Sequence, residues 1–264
     1  MHRATLARNP LNTPAAPAGS FRIRQARPGD FQALLDFYVA NQSAALPIPS
    51  VKVVGDTIEQ GRILVVQPAG EDRLAASAAV FQLTPQSALT YTGELAGMRA
   101  TAEVGGLGPA SMQILLLGLR LIGHAALEPA PAKPVATNFL IAIVKNDNAR
   151  SIANIEAIGM KPLSARPGWM KYDEQSWHGK IVDGEWRYYF ADNGTVVKAL
   201  DILAPLGLLG GKMRLERTDR QSGARHRFEF HLELRDLEFA AKDLEDIRSG
   251  RAVVELVQPP ARIK

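Results

Sequence analysis

The sequence predicts a mixed α/β fold, a mainly antiparallel sheet flanked by helices, followed by a β-rich C-terminal module. Three observations predict it. The alternating segment Phe21-Arg22-Ile23-Arg24 leads through a turn into an amphipathic stretch with Leu34, Leu35, Tyr38 and Val39 on one stripe. Several short strand-like segments then run into a glycine-rich turn that opens a helical pattern. Asn138–Val144 is a nearly continuous apolar run, the mark of a buried strand, and a further amphipathic stretch follows it.

Taken in order, residues 1–20 carry Pro10, Pro14 and Pro17 among Ala, Thr and Asn, lack the apolar core of a signal peptide, and read as a disordered tail. Pro28-Gly29-Asp30 turns the chain into its first helix, with Asp30 as the expected N-cap. Pro47 and Pro49 mark a loop, and a short helical stretch lies near Asp56–Gln60. Arg62–Gln67 and Leu74–Leu83 read as strands joined by the polar turn Gly70-Glu71-Asp72-Arg73, with Ala88–Arg99 as the next strand. Val104-Gly105-Gly106-Leu107-Gly108-Pro109 opens a helix from about Ala110 to Leu127, and Pro109 suits its first turn, where an N–H would be unpaired. After the prolines of 128–134 comes the buried strand. Asn148–Ile158 is helical, with Ile152, Ile155 and Ile158 on one face and Gly159 as the residue that ends it.

The texture changes after about Tyr172. Trp186–Phe190, Thr195–Leu200, Met213–Arg217 and His226–Leu234 read as strands, Leu237–Ile247 as a helix and Ala252–Val257 as a final strand. The expected organisation is a tail over 1–20, an α/β domain over 21–172 and a β-rich module over 173–264. Phe228, Phe230, Leu232 and Leu234 share one side of their strand, which therefore needs a partner surface. A homodimer contact or a cover over the acceptor site would supply one.

Composition narrows the function. Hydrophobic residues make up 46% of the 264 and charged residues 22%, as in ordinary soluble proteins. The longest apolar candidate, Ile114–Leu127, is broken by Gly118, Arg120, Gly123 and His124 and falls short of the roughly 18 residues a membrane span needs. No membrane role is expected. The chain has no cysteine, which removes disulfides, thiolate nucleophiles and zinc-thiolate sites and fits a cytoplasmic location. The net charge is +4, with its excess on the first twenty residues and on 101–172, which hold seven basic against four acidic residues. That excess is too small to point to nucleic acid. The basic cluster Lys212, Arg214, Arg217, Arg220, Arg225 and Arg227 is diluted by Glu216 and Asp219 and reads as a solvated hairpin. His226 and His231 lie five apart on a strand and face opposite sides, so they do not form a metal site, and none is expected elsewhere.

The glycine-rich turn is the sharpest chemical signal. A helix begins with four backbone N–H groups that lack internal partners and with the positive end of its dipole, so it attracts anions. Glycines 105, 106 and 108 let a ligand approach that backbone closely. A dinucleotide fingerprint fails because Ser111 stands where it needs its third glycine, and a P-loop fails because Pro109-Ala110 replaces its Lys-Ser or Lys-Thr pair. A phosphate site and a tight strand-to-helix connection both remain as readings of the turn.

The order of elements and two local patterns resemble the GNAT N-acetyltransferase superfamily. Arg27-Pro28-Gly29-Asp30 matches its opening turn, and Glu103-Val104-Gly105-Gly106-Leu107-Gly108 matches its acyl-CoA loop at Gly106 and Gly108. Asn148-Ala149-Arg150-Ser151, running on to Ile158-Gly159-Met160, matches its second pattern in spacing. The resemblance covers residues 21–172 and implies acetyl-CoA, or another acyl-CoA, as co-substrate with an amine as acceptor. It further implies that the backbone of Val104, Gly105, Gly106, Leu107, Gly108, Ala110 and Ser111 holds the pyrophosphate. The strand around Ala96–Met98 would part from the strand around Ile141–Ile143, with pantetheine hydrogen-bonded in the gap. Asn148 would orient the pantetheine arm, and Arg150 would lie near the adenosine phosphates. Three positions depart from the family: Glu103 replaces Gln or Arg, Ile155 stands where many members have a proton-donating Tyr, and Met160 replaces an aromatic.

Acyl transfer to an amine by direct attack needs a base. Glu94, the acid on the strand before the loop, is the candidate; its alternative is a strand-edge glutamate facing solvent. Tyr91 and Ser151 are weaker candidates for the proton donor to the leaving thiolate. Two other roles fit the same residues, an acyl-CoA-binding regulator without catalysis and an interaction protein on a GNAT scaffold.

Overall fold

A computed structural model describes residues 17–42, 48–59, 61–82, 92–101, 139–164, 184–203, 205, 212–218 and 225–233. These residues form a mixed α/β fold around one open sheet of nine strands. The chain runs through β1 (Pro17–Gln25), α1 (Phe31–Ala40), α2 (Val51–Glu59), β2 (Ile63–Pro68), β3 (Ala76–Gln82), β4 (Thr92–Ala100) and β5 (Phe139–Lys145). It continues through α3 (Ala149–Ala157), β6 (Lys161–Leu163), β7 (Trp186–Phe190), α4 (Asn193–Leu203), β8 (Lys212–Thr218) and β9 (Arg225–Glu233). The strand order is β6-β7-β5-β4-β3-β2-β1-β9-β8. Every ladder is antiparallel except β4–β5 and β1–β9.

One face of the sheet is covered by α1 and α2. Leu34, Phe37 and Tyr38 of α1 and Val54 and Ile58 of α2 pack on Ile63, Val65, Ala79, Phe81 and Ala96. Val39, expected on the same apolar stripe, is exposed instead. Residues directly opposite across a ladder share a face, so Phe81, Glu94, Ile141 and Phe190 line up on this side. Their neighbours Ile143, Tyr188 and Trp186 complete a second buried cluster there. Tyr189 points the other way and donates its hydroxyl to Glu156 of α3 at 3.0 Å, which places α3 on the opposite face.

Long-range pairing overrides several local expectations. β1 begins at Pro17, inside the stretch read as a tail, because β9 lies parallel to it and pairs with residues from Pro17 onward. Phe230 stacks on Phe21 with ring centroids 5.4 Å apart, and both Phe228 and Phe230 are buried. Phe228 and Phe230, on the apolar side of that strand, are thus covered within the chain. β7, expected to belong to a separate C-terminal module, lies between β5 and β6, so the sheet runs across the boundary read at 172/173. Thr195–Leu200, read as a strand, is part of helix α4. A reciprocal cap decides it: Thr195 N–H donates to Asp192 Oδ1 at 2.9 Å, and Asp192 N–H donates to Thr195 Oγ1 at 3.1 Å. The helices expected at 110–127 and 237–247 and the strand at 252–257 lie outside the described residues. Among the described residues no helix is long and apolar enough to cross a membrane.

The entry to α1 is tied to the sheet by a buried polar chain. The Arg24 guanidinium donates to both oxygens of Asp30, at 2.6 and 2.8 Å, and to Gln67 Oε1 at 3.1 Å. Gln67 in turn donates to the Glu71 carbonyl at 2.5 Å. Asp30 does not cap α1 with its side chain, as expected from its position; its carboxylate accepts from the Arg27 N–H instead, at 2.7 Å. The hydrogen bond from Arg24, with help from Arg27, holds the Asp30 carboxyl below its usual pKa, against burial, which raises it. A group with a depressed folded pKa stabilises the fold above its unfolded value and loses that contribution as pH falls. Replacing Asp30 with Asn therefore costs about 2–4 kcal/mol at neutral pH, because it takes a doubly hydrogen-bonded carboxylate from the buried Arg24 guanidinium. Urea unfolding of both proteins between pH 7 and pH 2.5 should show the gap constant above about pH 5 and shrinking below about pH 4.

Candidate functional site

The parallel pairing of β4 with β5 is short. Thr92, Gly93 and Glu94 lie opposite Phe139, Leu140 and Ile141, and beyond Glu94 the two strands run on to Ala100 and Lys145 with no further ladder partners between them among the described residues. The other edge of β4 carries an irregularity close by. Against β3 the register passes from Ala79↔Ala96 to Ser77↔Arg99, so two residues of β4, Gly97 and Met98, stand opposite the single Ala78. This is a β-bulge, and Gly97 occupies its first position with φ +63°. A side chain there is disfavoured by the backbone itself, and a Cβ would also sit 3.4 Å from Ala79 Cβ and the Phe81 ring. A bulge bends its strand and increases its twist, and the ladder with β5 ends at Glu94, just before this one.

Glu94 is in the middle of the sheet, between Phe81 and Ile141, and is wholly buried, not exposed at a strand edge. Ala96 is buried against the α1–α2 cluster, and Met98 is half-buried. Past the bulge Arg99 is 2% exposed, with its guanidinium carbon 4.5 Å from the centroid of the Tyr38 ring. Burial lowers the Arg99 pKa, while the Tyr38 phenol opposes that. Burial pushes the Tyr38 phenol up, and the neighbouring Ser77 hydroxyl and Arg99 act the other way. Ser77, opposite Arg99, donates its hydroxyl to the Gly97 carbonyl at 3.0 Å. Sequence reasoning missed Tyr38, Ser77 and Arg99 as neighbours of the site. A glycine inside an apolar strand was the available signal, because such a glycine often marks a bulge.

Asn148 follows β5 as the N-cap of α3, accepting from the Ser151 N–H at 3.2 Å. Its amide nitrogen keeps two donors beyond that bond. Ser151 is half-buried and Arg150 is exposed on the first turn. Gly159 ends the helix with φ +84°, as its place in the sequence suggested. Ile155 and Met160 are buried, at 2% and 3% exposure, so both act as packing residues. Tyr91, Val104, Gly105, Gly106, Leu107, Gly108, Ala110 and Ser111 lie outside the described residues. Among the described residues no group of His, Cys, Asp or Glu could hold a metal ion.

No protein-family model matches the chain, and no curated protein matches it. Solved structures do. An N-acetyltransferase from Staphylococcus aureus Mu50 is 14% identical, with a TM-score of 0.43 over 65% of this chain and 97% of its own. A GNAT-family acetyltransferase from Streptococcus pneumoniae is also 14% identical, with a TM-score of 0.43 over 65% of this chain and 99% of its own. Ribosomal-protein-alanine N-acetyltransferase from Brucella melitensis is 19% identical, with a TM-score of 0.41 over 64% of this chain and 96% of its own. The chain is similar to these proteins in fold.

The Tyr38–Arg99 contact carries weight in proportion to its burial. Tyr38→Leu removes the ring face from a buried guanidinium and should cost about 2–4 kcal/mol in urea unfolding. Tyr38→Phe keeps the ring and should cost about 1 kcal/mol or less.

Proposed function

We propose that the chain is an N-acyltransferase that moves an acetyl or other short acyl group from acyl-CoA to an amine by direct attack. The parted β4–β5 pair carries this reading. Two parallel strands that separate present facing backbone N–H and C=O groups, and each such group needs a partner. A slender chain bearing amides, which pantetheine is, satisfies them as an added strand would. The sequence supplies the rest in the right order. The turn at Val104–Ser111 follows β4 and offers its backbone amides to a pyrophosphate, and Asn148 follows β5. With the Asn148 oxygen used as a helix cap, its NH2 is the group turned to the pantetheine arm. Arg150, exposed beside it, serves the adenosine phosphates.

In the reaction the amine nitrogen attacks the thioester carbonyl carbon. The C–N bond forms, the C–S bond breaks, and CoA leaves. Glu94 is the base that takes the proton the amine must lose, through water given its depth, and the leaving sulfur takes up a proton to end as a thiol. Tyr91 and Ser151 are the side chains on hand for that last proton. The acceptor is an amine.

A second reading, acyl-CoA binding without turnover, is favoured by Ile155. It is buried in the packing of α3 and offers no proton where many GNAT enzymes have a Tyr.

Calorimetric titration with acetyl-CoA, with a Gly106→Asp, Gly108→Asp double variant alongside, tests the site. Binding that the variant loses supports it, and no binding by a folded wild type overturns it. Amine screening with a free-thiol readout then separates the two readings. Under the first, Glu94→Gln lowers kcat about 10²–10⁴-fold with acetyl-CoA affinity nearly unchanged. Under the second, wild type binds and releases no thiol with any amine.

A further inference from the structure

The β8–β9 hairpin follows one charge rule twice and then breaks it. Residues directly opposite in a ladder share a face, so opposite charges there attract and like charges repel. Glu216 stands opposite Arg227 and Arg214 opposite Glu229, and both pairs close, at 2.8 and 3.0 Å. The next position on the same face sets Lys212 opposite His231. On its other side His231 stands opposite Arg22 of β1, and Arg22 opposite Gln67 of β2. The row Lys212–His231–Arg22 thus puts a basic residue on each of three neighbouring strands and ends on a neutral amide.

Solvent reaches this row. Lys212 is exposed, Arg22 is half-buried, and the His231 side chain is 38% exposed. It lies on the side of the sheet that carries α1, because Arg24, two residues along from Arg22, reaches Asp30 there. The charged groups around His231 come from all three strands. Lys212 and Arg214 stand on β8, and Arg22 and the Asp30-bound Arg24 on β1. On β9 itself, Glu229 Oε2 lies 4.0 Å from His231 Nε2, while its Oε1 accepts from Arg214 at 3.0 Å. Glu233 holds the ladder position opposite Arg24. Arg22 has contacts of its own within the fold, so what it adds to the row is its fixed charge.

A tetrahedral dianion suits such a row. Its oxygens diverge, so it accepts from an ammonium and an imidazolium at once, while the guanidinium charge beyond helps to balance its second charge. Histidine is the side chain that gains its charge between pH 8 and pH 5, and in this place it adds a third positive charge to the row. We propose that the Lys212–His231–Arg22 row is a binding site for a tetrahedral oxyanion of the phosphate or sulfate class, and that protonation of His231 strengthens it. The site stands apart from the β4–β5 pair and is independent of the acyltransferase reading.

The probe is inorganic sulfate, doubly charged throughout the range, against chloride at equal ionic strength, followed by the His231 ring resonances in NMR. Sulfate should bind with a Kd of about 1–10 mM at pH 5.5 and about five- to tenfold more weakly at pH 8. By linkage, saturating sulfate should raise the midpoint of the His231 titration by the logarithm of that factor, about 0.7–1 pH. Lys212→Gln should weaken binding about fivefold or more, and Glu229→Gln, which removes the competing carboxylate, should tighten it. Arg227→Gln, in a row where base already meets acid, should leave it within about twofold. Lys212 and Arg227 are both exposed, and each variant is first checked for a native unfolding transition. Phosphoserine with blocked termini, titrated in parallel, tells the source: affinity at least equal to that of sulfate supports a phosphate ester as the ligand, and weaker affinity supports the free ion. Sulfate that moves His231 no more than chloride does overturns the site. So does a sulfate response that Lys212→Gln leaves unchanged. Because no acyl-CoA enters the test, either failure leaves the acyltransferase reading standing.

Discussion

An extra residue in a strand cannot lie flat between two neighbours, and β4 has one. Gly97 takes the left-handed conformation that lets the chain absorb it, and the pairing with β5 stops just before it, after Glu94 and Ile141. Glu94, at the end of the paired stretch, and the extra residue that follows it belong to the same short segment of β4.

The bulge is held from the helix side. Arg24 binds Asp30 and Gln67 and so fastens the start of α1 to β1 and β2. With α1 in place, Tyr38 is set over Arg99, and Arg99 shares its register position with Ser77. Buried charges are expensive, and their retention in the centre of a sheet is more often about geometry than about stability. Among the described residues, the buried Arg24 and Arg99 join helix to sheet, one at each end of α1.

The C-terminal half extends the same sheet. β7 fills the position between β5 and β6, and the β8–β9 hairpin adds to the free edge of β1. Its inner side brings Phe228 and Phe230 to Phe21. Its outer side pairs Arg214 with Glu229 at 3.0 Å and Arg227 with Glu216 at 2.8 Å, so two of the six residues of the basic cluster are in cross-strand ion pairs. Exposed Lys212, Arg214 and Glu216 also put charge on β8, the last strand of the sheet, where it discourages further strand pairing.

What the sequence determined by itself was local. Asn148 caps α3 and Gly159 ends it, and each depends only on residues within a few positions. The first helix, the buried strand at 139–145 and the alternation of Phe228 and Phe230 were equally legible, because periodicity reports which face of an element is apolar. A glycine at 97 does not by itself announce a bulge, since a bulge exists only relative to a partner strand. Strand order, the burial of Glu94 and the meeting of Tyr38, Ser77 and Arg99 were decided by tertiary structure. Those contacts join residues tens of positions apart, and no local propensity encodes which face of which strand a distant side chain will meet.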